Sequence, residues 1–438
     1  MKVKTMIVIM LIGAVCSIMF STQCEAAVKI GYGWSVNPEE TKAVAEAVDM
    51  LQKTVESPKL VFILNESSYD DAIVIKTLRK SLKDTRIFGY EVSFAVFTQD
   101  GIHRGEKGSL ALMGFDADNW VIGVGGIGMG SSTTVSDIKK SATLAVEQAI
   151  QDAGKTKADE PSVVMIAPTK LKEEPIIDAI EEIFGKEVKL MGGTPGGPMV
   201  FANDTVIEKG FSIAVIYAES KIGVGYHSGV QTGIRMRKQT SGKVTAIGEN
   251  NRILKEIDGR PAFDVYNEWS GGTFDYVDIE NLSEPLPIWE TAGRTPLVKL
   301  YDLGEGKKGT NVTIPGKITP DRSIIVGTDL YVGDTLYYAL GTKKTFIKRA
   351  GTIVRQALVD GRIKKNELAG AIHAYCRGAA FGQLGKEVIK LQPVVDATKK
   401  EMDGKPFIGG FTAGEQGNIR GHGSFHGNLS SSMVVFSE

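Results

Sequence analysis

A repeated order of elements constrains this chain more than any single motif does. Residues 59–65 (KLVFILN) form an apolar run of strand length, and residues 69–82 place Ala72, Ile73, Ile75 and Leu78 at helical spacing. Segments 86–92, 94–99, 109–115 and 120–126 then read as strands joined by turns. The same order returns after Pro161 as SVVMIAP, a helix over 173–185, and strands at 188–193, 198–201, 211–217 and 221–226. Pro58 and Gly89 recur 103 residues on as Pro161 and Gly192, and Gly123 and Gly125 recur 100 residues on as Gly223 and Gly225. A third pass runs through AGAIHAYC at 369–376, a helix over 388–402, PFIGGFTA at 406–413 and SSSMVVFS at 430–437. So regular a recurrence indicates internal duplication. Each pass is expected to be led by a strand and helix: KIGYGWS with ETKAVAEAVDMLQ, IGVGGIGMG with VSDIKKSATLAVEQAIQDA, and TLYYALG with FIKRAGTIVRQALVDG.

Runs of consecutive short strands do not suit a purely parallel sheet, in which every strand needs a long crossover. Alternation such as Phe211, Ile213 and Val215 suits an antiparallel strand with one face more buried than the other. The expected class is α/β with α+β character: duplicated units of mixed, largely antiparallel sheets packed together and flanked by helices. Residues 27–226 form an N-terminal lobe containing the duplication, 227–317 a linking segment rich in Gly, Pro and charge, and 318–438 a C-terminal lobe.

The first 26 residues read as an export signal. Lys2 and Lys4 precede an apolar run over 5–20, and Cys24 and Ala26 put small residues before a cut at Ala27. The apolar run is too short for a retained membrane span, so the chain is expected to work outside the cytoplasm, periplasmic or secreted. Without residues 1–26, which hold Lys2, Lys4 and Glu25, the 51 basic and 52 acidic residues become 49 and 51. A balance so near neutrality argues against general nucleic-acid binding. Cys376 is then the one cysteine left, so no internal disulfide is expected.

In the third pass, AYCRGAAFG at 374–382, KPFIGGFTAGEQG at 405–417 and HGSFHGNLSSSMVVF at 422–436 resemble the C-terminal half of the FIST family. Residues 59–80 with 87–101 resemble its N-terminal half, and 251–269 its linking strand-turn-helix element. The resemblance spans about residues 28–437 and implies a sensory module that binds a small molecule such as an amino acid. It marks Cys376 and Arg377 in one segment and Gly410, Gly414 and Glu415 in another. Two departures matter: most relatives look cytoplasmic whereas this chain is expected to be exported, and no attached kinase, cyclase or F-box region is read within residues 1–438. A small-molecule ligand is the expected partner, with a membrane-bound signalling protein as a second candidate.

Physically, Arg377 follows a strand and precedes Gly378-Ala379-Ala380, so a guanidinium there can clamp a carboxylate through paired hydrogen bonds, or bridge internally to Glu415. A small carboxylate or amino-acid-like ligand is therefore expected between the turn after Tyr375-Cys376-Arg377 and the turn at Gly414-Glu415. The glycine turn Gly192–Gly197 lacks the lysine and spacing of a phosphate loop, and strand packing accounts for it more simply. His422 and His426 stand four apart without an acidic or cysteine partner nearby, so no metal site is expected. The resemblance also leaves a haem-binding gas sensor as an alternative, with a histidine or Cys376 on the iron. A hydrolase whose residues meet only in space is a further alternative, although His373 and Cys376 fall on opposite faces of one strand.

Export should leave a mature chain beginning at Ala27 or Val28. Intact-mass measurement of the exported protein checks this, and a mass that retains residues 1–26 would refute it.

Overall fold

The computed structural model describes residues 28–130, 134–170, 172–233 and 240–438. The proposed export signal lies outside the described residues. Three units of one topology make up most of the chain, and the third is split by a long insertion.

In the first unit a leading strand, Lys29–Ser35, is followed by a helix, Glu40–Gln52, a strand, Leu60–Glu66, a helix, Asp71–Ser81, and strands Arg86–Thr98 and Leu110–Asp116. Leu60–Glu66 runs parallel to Arg86–Val92, while Leu110–Asp116 lies antiparallel between the leading strand and Leu60–Glu66. The second unit repeats this with leading strand Val121–Gly128, helices Val135–Asp152 and Glu174–Phe184, a parallel pair of Val163–Pro168 with Leu190–Thr194, and Gly210–Tyr217 antiparallel in the middle. In the third unit the corresponding strands are Ile222–His227, Leu368–Cys376, Phe407–Thr412 and Ser431–Ser437, with helices Lys343–Gly361 and Val388–Met402. The central strands are buried on both faces, which is why they read as nearly unbroken apolar runs.

The units close into a ring. After its second parallel strand, each unit throws out a hairpin that pairs antiparallel with the same strand of a neighbour. Ser93 to Thr98 of the first unit pairs with Phe407–Thr412 of the third. Met199–Ala202 of the second pairs with Phe88, Gly89 and Tyr90 of the first. Gly414–Ile419 of the third pairs with Met191 to Thr194 of the second. The inner faces of all three sheets share one core, represented by Phe62, Tyr90, Val124, Met165, Ile372 and Phe436. Each outer face packs under its own pair of helices in a separate cluster.

The glycines that recur in the leading strands belong to this helix packing. A Cβ on Gly123 or Gly223 would run into the carbonyl oxygen of Ala149 or Ala357, because the helix following each leading strand lies directly on its backbone. The same junctions share a carboxylate clamp. Asp152 accepts from Val124 N at 2.9 Å and pairs with Arg86 at 2.7 Å, and Asp360 accepts from Val224 N at 3.0 Å and pairs with Lys189 at 3.5 Å.

Residues 228–342 differ from the expected arrangement. Much of this stretch was expected to be a plain link, but its strands form a ten-stranded sheet with its own core around Phe263, Tyr266, Phe274 and Leu336. TLYYALG, expected to lead the third pass, belongs to this sheet as Thr335–Leu340. The leading strand of the third unit is Ile222–His227, separated from its helix by the whole insertion. An ion cluster ties the insertion to the second unit: Arg252 bridges Glu173 at 3.0 Å, Glu174 at 2.6 Å and Asp329 at 2.9 Å. Among the described residues no helix is long and apolar enough to cross a membrane.

Gly223→Ala should cost about 1–3 kcal/mol of unfolding free energy, because the new methyl meets backbone that cannot move aside. Gly382→Ala, in a helix where an added Cβ meets open space, should leave stability unchanged or slightly raised. Urea titration of both variants checks the pair, and equal losses would contradict the packing role.

Candidate functional site

The carboxyl ends of the three parallel strand pairs carry most of the unusual polar chemistry. In the third unit the fully buried strand Leu368–Cys376 ends directly in a short helix, Arg377–Gln383. Ala379 and Ala380 pack into the core there, so the helix sits close against the sheet and its first side chain reaches outward. Arg377 crosses to the neighbouring units, donating from Nη1 to Ser93 Oγ at 3.1 Å and to the Gly196 carbonyl at 3.0 Å. Its Nε and Nη2 make no hydrogen bond among the described residues.

Beside Arg377 lies a cavity of about 950 Å³. The first unit contributes Ser93 and Phe94, and the third contributes Cys376, Arg377, Gly378, Phe381, Lys386 and Leu429. The insertion closes the remaining side with Trp289, Glu290, Thr291, Arg294 and Ile314. Asn428 joins the two sides: its side-chain oxygen accepts from Ile314 N at 3.2 Å, and its backbone N donates to Val312 O at 2.9 Å. Three cations, Arg294, Arg377 and Lys386, thus face one carboxylate, Glu290, around partly apolar walls. Lys170 adds to the positive surroundings, and burial, then the charge of Arg377, lower its pKa.

Of the residues singled out from the sequence, Cys376 and Arg377 reach the cavity. Tyr375, Gly410, Gly414 and Glu415 stand behind its wall. Tyr375 is fully buried, donates its hydroxyl to Phe346 O at 2.9 Å, and has the Arg349 guanidinium 4.1 Å from its ring centroid. Gly410 allows the third-unit sheet to approach Val92, and Gly414 faces the ring of His426. Glu415 accepts from Thr412 Oγ1 at 2.7 Å and from Ser430 N at 3.1 Å. Arg377 and Glu415 form no ion pair; strand alternation turns the glutamate inward while the arginine leaves the sheet on a helix.

Burial pushes the Cys376 thiol up to about 12, with the Glu415 charge acting in the same direction, so the sulfur is protonated near neutral pH and is a poor nucleophile. His373 lies apart from it, 3.4 Å from Thr398 Oγ1 and edge-on to Tyr375. His422 and His426 diverge: the first contacts the Asp302 carbonyl at 2.7 Å, the second Gln416 Nε2 at 2.9 Å. No histidine is among the cavity-lining residues; of the iron ligands considered from the sequence, Cys376 alone lines it.

With this geometry in hand, the comparisons with known proteins identify the lineage. The FIST N domain matches residues 59–260 and the FIST C domain residues 262–418. The chain belongs to the FIST family. FIST domains are generally sensory domains that bind small ligands. No match is found among curated proteins by sequence. Among solved structures, this FIST chain is similar to the cyanuric acid hydrolase from A. caulinodans at 8% identity and TM-score 0.37, over 94% of this chain and 99% of that one. A second cyanuric acid hydrolase structure gives 9% identity and TM-score 0.29, with coverage of 94% and 99%. Phosphoribosylformylglycinamidine synthase II from Thermotoga maritima gives 10% identity and TM-score 0.21, with coverage of 94% and 72%. Likeness this distant bears on neither the activity nor the ligand of this FIST protein.

Sequence reasoning did not find Phe94, Trp289, Arg294, Phe381 or Lys386. Phe94 leaves no local signal, and Trp289 and Arg294 lie in the stretch read as a link.

The buried acids set a pH dependence. Burial raises Glu415 from an ordinary 4.5 to about 8, Glu91 and Glu66 to about 7, and Asp71 to about 6. Asp71 and Glu91 lie close enough for each carboxyl to act on the titration of the other. The folded chain therefore keeps protons that the unfolded chain releases above about pH 4.5, and stability from these groups declines as pH rises toward 8. The urea midpoint should fall between pH 5 and pH 8, and Glu415→Gln should fall less over the same range. An identical slope in wild type and variant would refute the assignment to Glu415.

Proposed function

We propose that this FIST-family protein is an extracytoplasmic sensor that binds a small carboxylate or amino-acid-like molecule in the cavity between the ring and the insertion. The observation that carries the reading is the free part of Arg377: Nη1 is held by Ser93 and Gly196, while Nε and Nη2 have no hydrogen-bond partner among the described residues beside the open cavity. A guanidinium anchored on one corner keeps its plane fixed, so a carboxylate can dock without ordering a flexible side chain first. Arg294 and Lys386 add positive charge for the anion, and Glu290 supplies an acceptor for an ammonium group.

The location of the cavity supports a sensory role. Its walls come from the first unit, the third unit and the insertion, so a ligand touching all three changes how tightly the insertion is held against the ring. Occupancy reported in this way would reach a membrane-bound signalling partner through the insertion or the ring surface. The protonated thiol of Cys376 favours a binding role over nucleophilic catalysis.

A thermal-shift screen of amino acids and small carboxylates, followed by calorimetry, tests the reading. Arg377→Ala should weaken the best ligand by about ten- to a hundredfold, corresponding to roughly 1.5–3 kcal/mol for a charge-assisted contact. Arg377→Lys should recover only part of this loss, since an ammonium cannot reproduce the planar fork. Unchanged affinity in Arg377→Ala would place binding elsewhere.

A further inference from the structure

We infer that the ligand carries a flat aromatic ring beside its carboxylate, and that Phe94 is the residue that selects for the ring. The inference rests on the proposal that the cavity binds a carboxylate.

Where strand Arg86–Thr98 pairs with Phe407–Thr412, Gly409 faces Phe97 and Gly410 faces Val96, but Phe411 faces Ser93. Phe94 and Ala95 are therefore extra residues on one side of the ladder. Such a bulge bends a strand and re-aims its side chains, and bulges concentrate next to functional sites. At this one Phe94 takes φ +74°, the left-handed region in which a bulky side chain is a true outlier. Glycine would adopt that backbone freely. A phenylalanine kept there against its own backbone preference marks a position where the ring has a use beyond folding.

The surroundings of the ring point to that use. A core-filling phenylalanine would be enclosed, yet Phe94 is only half-buried and lines the cavity. One neighbour is the ring of Phe381, edge-on at 5.2 Å between centroids. Another is Arg104, whose guanidinium carbon lies 4.0 Å from the Phe94 centroid and holds the ring in place. Phe381 is braced in turn by Phe411 at 5.3 Å. The insertion adds Trp289, which is 48% exposed although it also lines the cavity.

The anion anchor is next door, since Ser93, the residue before Phe94, holds Arg377. A molecule whose carboxylate meets Arg377 therefore brings its neighbouring atoms to the Phe94 and Phe381 rings. Aromatic rings favour edge-on or offset contact with another aromatic ring, a preference that a saturated ring of the same size does not share.

The test uses the full mature chain and matched pairs of carboxylates that differ only in the ring: benzoate with cyclohexanecarboxylate, phenylacetate with cyclohexylacetate, and L-phenylalanine with L-cyclohexylalanine. Calorimetry should find the aromatic member of each pair tighter by about two- to tenfold. Phe94→Gly should abolish the difference, while glycine's freedom at this backbone offsets part of the packing lost with the ring. Should Phe94→Gly fail to fold, Phe381→Leu should erase the same preference. Equal affinity for the two members of every pair would overturn the aromatic inference while leaving carboxylate binding intact. Binding of neither member, or binding indifferent to Arg377→Ala, would overturn both this inference and the functional reading beneath it.

Discussion

Everything in this molecule depends on the exchange of hairpins between units. A four-stranded sheet of this kind leaves the outer edge of its second parallel strand unpaired, and an unpaired edge invites association with other chains. Each such edge is covered by the hairpin of a neighbour, in the cycle first to third, third to second and second to first. The same pairings press the three inner faces together into one core. Edge protection and core formation are thus one event, and no unit completes its sheet without the next.

The repeat was legible because the ring imposes the same local demands three times. A helix must lie on the backbone of each leading strand, so glycines recur there, and an apolar strand must be buried on both faces, so unbroken apolar runs recur at similar intervals. The insertion was not legible for the opposite reason. Its strands are short, several of only two to six residues, and Gly, Pro and charge are as common in tight turns between short strands as in a link. The displaced leading strand Ile222–His227 followed from that misreading, since nothing local distinguishes a strand that ends one unit from a strand that begins the next.

The candidate site was partly legible. Cys376 and Arg377 stand out because a strand runs straight into small residues, and family resemblance marks them. Glu415 stands out as well, but its role depends on which way it points, and only the third dimension supplies that. It sits inside, hydrogen-bonded to Thr412 and Ser430, near the buried guanidinium of Arg349. Arg349 has no carboxylate partner among the described residues; it donates to the carbonyls of Ser228 and Leu429 and stacks on Tyr375. Desolvating a charge is expensive, so the inner wall of the cavity is held by interactions that tolerate little rearrangement. Phe94, Trp289 and Arg294 come from distant parts of the chain and meet only because the insertion folds back over the ring.

The position of strand Ser431–Ser437 has a consequence for synthesis. It is the last strand, yet it lies inside the third sheet, between Ile222–His227 and Leu368–Cys376. A ribosome releases residues in order, so Ile222–His227 waits for a partner more than two hundred positions away, and the third sheet stays open until nearly the whole chain has emerged. Contacts of such long sequence separation slow folding and prolong the exposure of strand edges. The insertion, with its own core, can fold during that interval and hold the two parts of the third unit near one another. In that sense residues 228–342 would act as a clasp on the incompletely folded chain before they become one wall of a cavity.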